Sequence, residues 1–143
     1  MRARDILDAK GGEVIAIGPE ESLDHAISTL SSHNIGAVLV LGRGGQLAGI
    51  LSERDVIRVL DGAPKGFRET KVKDVMTARV FTASPDASVD ELLDVMTAKR
   101  CRHLPVVDGE RLVGMVSIGD VVKYRIREAV GEAEALKSYI AAV

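Results

Sequence analysis

Several features that mark common functional classes are scarce in this chain of 143 residues. It has no Trp and only two Tyr and two Phe, which leaves few aromatic surfaces on which nucleic-acid bases can stack. Its 19 Lys and Arg residues are nearly balanced by 21 Asp and Glu residues, so the chain lacks the strong basic field that favours nucleic acid. Both observations argue against nucleic acid as a partner.

Cysteine and long hydrophobic runs are also scarce. The single cysteine, Cys101, cannot form an internal disulfide, which fits a reducing compartment. No apolar run approaches the roughly 20 residues that span a bilayer, and no signal-peptide core follows the charged start. We therefore expect a soluble, cytoplasmic protein with no membrane partner.

The motifs of common enzyme classes are missing as well. The three histidines and one cysteine show no zinc-ligand spacing, and there is no Gly-x-x-x-x-Gly-Lys-Ser/Thr loop. The glycines of segment 42–45 fall between two predicted strands, which makes them a turn rather than a dinucleotide-binding loop. We therefore expect no catalytic activity, no metal and no required cofactor.

The sequence does contain a repeat. A β-rich run ends at Pro19 in the first copy and at Pro85 in the second, 66 positions later (85 − 19). A Ser-x-x-Asp segment ends each copy, and its aspartates, Asp55 and Asp120, are 65 positions apart (120 − 55). Similar supersecondary units of this kind bury their hydrophobic faces against each other, so we expect any site to lie between the copies.

Both copies predict the same order of elements: strand, helix, strand, strand, helix. Ser22 and Ser88 each precede a run with apolar residues on one helical face, and Glu91 completes a capping box with Ser88. Strands are predicted at 14–17, 37–40 and 47–51 in the first copy and at 80–83, 104–107 and 112–116 in the second. The final helices are predicted from Asp55 and Asp120 onward.

These elements predict an α/β fold of two β-α-β-β-α repeats in pseudo-twofold contact, with small sheets packed against helices. We expect a first repeat with its lead-in at 1–68, a second repeat at 69–128 and a C-terminal helix at 129–143. Segment 61–66 is the predicted linker, and the lead-ins 5–7 and 74–76 match each other at an offset of 69 (74 − 5).

Two complete Gly-x-x-Ser-x-x-Asp segments, together with segment 102–108 and the Asp-Val-Met-Thr lead-in at 74–77, resemble the CBS domain, named after cystathionine beta-synthase. The resemblance covers nearly the whole chain. It implies a tandem CBS pair without an attached enzyme or channel domain. Leu39 stands in the first copy where Pro105 stands in the second, a difference that a strand edge tolerates.

Members of this family commonly bind adenine nucleotides between the repeats, and the residue types here suit that chemistry. A carboxylate at a helix start, such as Asp55 or Asp120, can accept two hydrogen bonds from the vicinal hydroxyls of a ribose. Ser52 and Ser117 lie near free backbone N–H groups, where the helix dipole favours phosphate. Helix capping is the alternative interpretation of the two aspartates.

Cationic side chains that a phosphate chain requires are unequally distributed. Arg54 is available in the first copy, whereas Arg100, Arg102 and His103 are available in the second. We therefore expect the two clefts to differ in affinity or in phosphate preference. Solvated surface charge is the alternative interpretation for the arginines, and a histidine satisfied by backbone groups is the alternative for His103.

The resemblance also implies which strand residues contact the ligand. In the family, the Ser and Asp of one repeat usually face the strand residues of the other. One site would then join Thr82, His103 and Leu104 to Ser52 and Asp55. The other would join Ile17, Ala37 and Val38 to Ser117 and Asp120, and Gly36, at the start of the same strand, is also an expected ligand-binding residue.

The functional expectation is a regulatory module that binds AMP, ADP, ATP, NADH or a related adenosine compound. It would sense the energy or redox state of the cell and signal occupancy to a protein partner that the sequence does not identify. The alternative is a nucleotide-independent interaction or dimerisation module. Apolar residues from Val122 to Ile140 follow a heptad spacing, which fits either a helix folded back on its own domain or a helix that packs across a dimer interface. The resemblance favours the second, because CBS pairs often dimerise, and we expect a homodimer.

Overall fold

A computed structural model describes residues 1–11, 13–62 and 65–142. Its elements are α1 (Ala3–Lys10), β1 (Ala16–Ile17), α2 (Leu23–His33), β2 (Ala37–Leu41), β3 (Leu47–Ser52), α3 (Glu53–Asp61), two 3-10 turns (Phe67–Glu69 and Val72–Asp74), α4 (Val89–Lys99), β4 (His103–Asp108), β5 (Arg111–Ser117) and α5 (Ile118–Ala142). The predicted α/β class with small sheets is confirmed.

The chain divides into two compact units, and neither is one continuous segment. The Asp55 unit comprises Glu13–Val80 and Gly109–Leu112. The Asp120 unit comprises Met1–Gly12, Phe81–Asp108 and Val113–Val143. Each unit therefore combines most of one sequence copy with the segment that precedes the other copy.

The Asp55 unit contains a three-stranded sheet in the order β1-β2-β3. Strand β1 is parallel to β2, and β2 is antiparallel to β3. The turn predicted at 42–45 is confirmed by a hydrogen bond from Gly45 N to Gly42 O at 3.0 Å. The core of this unit consists of buried side chains from the sheet, from α2 and from the second 3-10 turn, namely Ile17, Leu23, Ala26, Leu30, Val38, Val40, Leu51 and Val72.

The Asp120 unit has a two-stranded sheet of β4 and β5. The prediction of a strand at 80–83 is wrong. Only an isolated parallel bridge between Ala83 and Val106 occurs there. In the first copy, Leu39 N donates to Ile15 O at 3.4 Å. Pro105 occupies the place of Leu39 and has no N–H to donate, so the second copy cannot make the equivalent ladder bond.

The starts of α2 and α4 are confirmed. Ser22 Oγ accepts a hydrogen bond from His25 N, and Ser88 forms the predicted capping box with Glu91. Both helices end in a left-handed residue, Asn34 with φ 51° and Arg100 with φ 52°. A C-terminal cap of this kind is usually Gly or Asn, so Arg100 is an unusual choice.

From here on, the lead-ins are residues 3–10 and 72–77, and the match between them is visible in their backbone hydrogen bonds. Ala3 N donates to Ala87 O and Arg4 N to Pro85 O, at 2.8 and 3.0 Å. The equivalent bonds in the Asp55 unit run from Val72 N to Glu21 O and from Lys73 N to Pro19 O, at 2.8 and 2.9 Å. Each lead-in is therefore bound to the sequence copy that it does not directly precede.

The final helices begin two residues earlier than predicted, at Glu53 and Ile118. Helix α5 continues from Ile118 to Ala142 without a break, so no element boundary occurs near residue 129. The predicted linker 61–66 includes Ala63 and Pro64, which lie outside the described residues. Among the helices of the described chain, none combines the length and apolarity that crossing a membrane requires.

Candidate functional site

The predicted ligand-binding residues form two half-sites, one in each unit. We call them the Asp55 half-site and the Asp120 half-site. The Asp55 half-site consists of Ile17, Gly36, Ala37, Val38, Ser52, Arg54 and Asp55, and the Asp120 half-site consists of Thr82, Arg102, His103, Leu104, Ser117 and Asp120. The structure thus brings together the predicted residues of the same copy, while the pairing of one copy's strands with the other copy's aspartate stays a prediction.

Each Ser-x-x-Asp segment folds into a capping box at the start of a helix. Ser52 is the N-cap of α3; its Oγ accepts from Asp55 N at 3.4 Å, and Asp55 Oδ2 accepts from Ser52 N at 2.9 Å. Ser117 and Asp120 repeat both bonds at the start of α5, at 3.2 and 2.9 Å. The aspartates therefore do contribute to capping, from the third helical position rather than the cap itself.

A backbone hydrogen bond holds each strand start against the helix start of the same half-site. Glu53 N donates to Gly36 O at 3.0 Å, and Ile118 N donates to Arg102 O at 2.7 Å. In the Asp55 unit, Ala37 is also paired with Ser52 across the β2–β3 ladder. The predicted strand residues thus lie beside the capping boxes because the sheet ends where the helix begins.

The predicted site residues differ in exposure. Ile17, Val38 and Leu104 are buried in the two hydrophobic cores, and Ala37 is also buried. Gly36 and His103 are half-buried, whereas Arg54, Thr82 and Arg102 are exposed. The apolar members therefore lie in or beside the cores, whereas the side chains of Arg54, Thr82 and Arg102 are accessible to solvent.

Both carboxylate oxygens of Asp55 already accept hydrogen bonds from the protein. Its side chain is 4% exposed. Oδ2 accepts from Ser52 N and from Ser52 Oγ at 2.9 and 3.1 Å, and Oδ1 accepts from Arg58 at 3.3 Å and from Thr77 Oγ1 at 3.5 Å. Because both oxygens have protein partners and little solvent access, this carboxylate has little remaining capacity for a ligand.

Asp120 is more open. Its side chain is 22% exposed, and Oδ2 accepts from Ser117 N at 2.9 Å and from Lys10 Nζ at 2.7 Å. Among the contacts of the described residues, none engages Oδ1. Burial raises the pKa of this carboxyl, but hydrogen bonds from Lys10 and Ser117 outweigh burial and leave the pKa below its ordinary value. Asp120 is therefore a charged acceptor with one oxygen available.

Two residues next to the aspartates were missed by sequence reasoning, Lys10 and Thr77. Lys10 ends α1, and Thr77 follows the second 3-10 turn, where it forms an isolated bridge with Ile50. The matching lead-ins were a signal that these segments belong to the repeat. The offset alone does not reveal that each lead-in reaches the aspartate of the other copy.

The remaining sequence candidates are located as follows. In the described part of the chain, neither Arg54 nor Arg102 makes an ion pair, which leaves both guanidinium groups to solvent or to a ligand. Burial raises the pKa of the Cys101 thiol, which disfavours the reactive thiolate. No cluster of three or more metal-binding side chains occurs among residues 1–11, 13–62 and 65–142.

Fold and half-sites together define a class: a duplicated α/β protein in which each copy ends in a Ser-x-x-Asp capping box at a strand-to-helix junction. The family model of the CBS domain matches residues 3–62 and 72–127, and the chain belongs to this family as a tandem pair. CBS pairs are regulatory modules, which agrees with the class expected from the sequence.

Three relatives illustrate the similarity. The chain is 35% identical to the mitochondrial CBS domain-containing protein CBSX3 of Arabidopsis thaliana over 95% of its own length and 70% of the relative's. A CBS-domain containing protein from Agrobacterium tumefaciens has 40% identity and a TM-score of 0.83, covering 87% of this chain and 92% of that one. The CBS domain pair of protein MJ0100, solved with 5-methylthioadenosine and S-adenosyl-L-methionine, has 26% identity and a TM-score of 0.78, covering 90% and 98%.

Proposed function

We propose that this chain is a regulatory module that binds an adenosine-containing ligand and signals its occupancy to a protein partner. The ligand class comprises AMP, ADP, ATP, NADH and related compounds, and the module would report the energy or redox state of the cell. Support comes from the family and from the adenosine ligands of the similar MJ0100 pair. Occupancy can act on a partner only if the ligand favours one of two conformations.

The observation that carries the proposal is the state of the Asp120 carboxylate. It is ionised, half-buried and fixed by Ser117, and its Oδ1 has no protein contact among the described residues. A carboxylate oriented in this way can accept hydrogen bonds from the two hydroxyls of a ribose. We expect Asp120 to contribute more to ligand affinity than Asp55, whose oxygens are already engaged.

The test is thermal unfolding of the purified protein with AMP, ADP, ATP, NADH, S-adenosylmethionine and GTP. A ligand at 100 times its dissociation constant adds about 2.7 kcal/mol of stability. For a chain of this size that corresponds to a rise of roughly 5 to 10 °C in Tm. We expect such a rise with at least one adenosine compound and a much smaller one with GTP.

Variants then locate the ligand. Asp120→Asn should abolish most of the ligand-induced shift, because the amide keeps the size of the side chain but loses the charge. Asp55→Asn should reduce the shift less. Asp24→Asn is the matched control, since Asp24 also lies in the first turn of a helix but is 60% exposed, pairs with Arg68 and belongs to neither Ser-x-x-Asp capping box.

If no adenosine compound shifts the Tm, the alternative function gains support: a nucleotide-independent interaction module. In that case the two capping boxes serve only to start α3 and α5. Intact Ser and Asp residues in both copies favour the ligand-binding proposal over this alternative.

We further propose that the protein is a homodimer that pairs through α5. Beyond Tyr124 no residue of α5 is buried in the described chain, and Ile126, Val130, Leu136 and Ile140 are all more than half exposed. The first part of the helix, 118–129, has three basic and two acidic residues and a net charge of +1 (3 − 2), whereas the later part, 130–142, has Glu132, Glu134 and Lys137 and a net charge of −1 (1 − 2). An antiparallel pair of α5 helices places basic residues opposite acidic ones while it covers the apolar face.

Light scattering after gel filtration tests the dimer. Truncation after Ala129 retains the buried residues Val121 and Tyr124, so the remaining protein should fold but run as a monomer. Leu136→Glu should weaken the dimer in the full chain. A truncated protein that remains a dimer would remove α5 from this proposal.

A cytoplasmic location is also a proposal. It derives from the lone cysteine, which fits a reducing compartment. The Arabidopsis relative is named as a mitochondrial protein. If this chain is also found in an organelle, the proposed cytoplasmic location is wrong; if it is cytoplasmic, the two similar proteins occupy different compartments. Fractionation of the native cells with an antibody to the protein distinguishes these outcomes.

A further inference from the structure

Lys10 links helix α1 to the Asp120 half-site. Its Nζ donates to Asp120 Oδ2 at 2.7 Å and to the backbone carbonyl of Met115 at 3.0 Å. The side chain is 36% exposed, and its two acceptors lie 105 and 110 positions away in the chain. The ammonium group is therefore held in place by two separate elements of the Asp120 unit.

The Asp55 half-site has no equivalent of this lysine in the described chain. Its cations are Arg54, which is exposed and makes no ion pair in the described chain, and Arg58, which lies in α3 itself, makes one contact of 3.3 Å to Asp55 and is 75% exposed. Solvent screens such a side chain strongly. The lead-in residue that reaches Asp55 is Thr77, which is uncharged. The two half-sites therefore differ in having a fixed cation at only one of them.

The Lys10 ammonium group retains capacity for a ligand. An ammonium has three N–H donors, and two of them are used by Asp120 and Met115. Because Lys10 offsets the charge of Asp120, an anionic ligand that approaches this half-site does not meet an uncompensated carboxylate. A cationic ligand, by contrast, meets a positive group beside its acceptor.

We propose that Lys10 is a specificity-determining residue that makes the Asp120 half-site select phosphorylated adenosine ligands over neutral or cationic ones. This inference rests on the proposed function, because it assumes that the ribose binds at Asp120. Lys10 and the ribose would bind the same Asp120 carboxylate. A phosphate joined to that ribose would therefore lie within several ångströms of the Lys10 ammonium group. Over such distances a unit charge near a protein surface changes the affinity of an anion by roughly tenfold.

Isothermal titration of adenosine, AMP and S-adenosylmethionine into the full chain tests the inference, with wild-type, Lys10→Met and Lys10→Arg proteins. Methionine keeps most of the length of the side chain and removes the charge. We expect Lys10→Met to weaken AMP about tenfold, to leave adenosine within about twofold and to bind S-adenosylmethionine at least as well as the wild type. Lys10→Arg should retain the preference for AMP.

Lys73→Met is the matched control. Lys73 is a lysine of similar exposure whose Nζ pairs with Glu20 at 2.9 Å in the Asp55 unit. The substitution Lys73→Met changes the net charge of the protein by the same amount as Lys10→Met. A loss of AMP affinity that occurs only in Lys10→Met is therefore caused by the loss of the charge at that position and not by the change in net charge. The AMP affinity of the wild type should also fall more steeply with salt than its adenosine affinity, and this difference should diminish in Lys10→Met.

The outcomes separate the two proposals. Equal losses of AMP and adenosine in Lys10→Met would mean that Lys10 only shapes the site, and would overturn this inference while leaving the proposed function intact. An equal loss in Lys73→Met would overturn it as well. If the wild type binds no adenosine compound, the proposed function fails and this inference fails with it. Lys10→Gln provides a second neutral variant if Lys10→Met folds poorly.

Discussion

The Asp55 and Asp120 units share a framework but differ in the segment that completes each of them. Both have the same capping box and the same bond from the helix start to the strand start. In the Asp120 unit the lead-in is an eight-residue helix that ends in a lysine at the aspartate. In the Asp55 unit it is a three-residue 3-10 turn followed by a bridge.

This difference teaches where a duplicated protein can diverge without loss of its fold. The capping boxes are needed to start α3 and α5, so their residues are constrained in both units. The lead-ins contact the aspartates from outside the repeat, and their residues are free to differ. Thr77 of one lead-in, together with Arg58 of α3, encloses Asp55, while Lys10 of the other lead-in holds Asp120 and leaves one of its oxygens available.

The largest expected effect comes from substitutions that compare the packing of the helical lead-in, α1, with the packing of the lead-in of the Asp55 unit. Ile6 of α1 is 0% exposed in the core of the Asp120 unit, and its counterpart Val75 is only partly buried in the Asp55 unit. Ile6→Ala should reduce the free energy of unfolding by about 2 to 5 kcal/mol, measured by urea denaturation. Val75→Ala should cost about 1 kcal/mol. Similar costs for the two variants would contradict the comparison.

The next effect compares two equivalent glycines. A Cβ atom at Gly49 would lie 2.7 Å from the backbone oxygen of Thr77, whereas a Cβ atom at Gly114 would lie 2.7 Å from Cδ2 of Leu7. The leucine side chain can change its rotamer, but the Thr77 backbone is held by the bridge to Ile50. Gly49→Ala should therefore cost about 1 to 3 kcal/mol, and Gly114→Ala should cost less. The reverse order would mean that the α1 lead-in is the more rigid one.

The smallest effect concerns the helix ends that precede β2 and β4. Asn34 and Arg100 both adopt left-handed backbone conformations, which asparagine tolerates better than arginine. Arg100→Asn should therefore stabilise the protein by about 0.5 to 1 kcal/mol, and Asn34→Arg should destabilise it by a similar amount. Thermal unfolding of both variants provides the measurement. A loss of stability in Arg100→Asn would show that the arginine side chain has a stabilising contact that outweighs its backbone strain.

Much of the fold follows from patterns within each copy. The helices after Ser22 and Ser88 and the paired strands around the turns are local features, and the structure confirms them. The strand predicted at 80–83 fails because a single bond is missing, the one that Pro105 cannot donate. The sequence contained the proline, but its effect depends on which strand lies beside it.

The candidate site was predictable to a similar degree. The capping boxes follow from Ser-x-x-Asp at predicted helix starts, and the structure contains both. The unequal aspartates did not follow, because Lys10 and Thr77 come from segments whose partners are more than 20 positions away in the chain. Contacts of that range have no local sequence pattern.

The exchange of lead-ins also sets an order for assembly during synthesis. Helix α1 leaves the ribosome before its backbone partners at residues 85 and 87, which follow about 80 positions later. At typical elongation rates this is a wait on the order of ten seconds. An isolated helix of eight residues is unstable in water. Helix α1 therefore acquires its structure only after the much later segment 81–124 has been translated, and Ala3 and Ile6 stay exposed to chaperones and proteases until then.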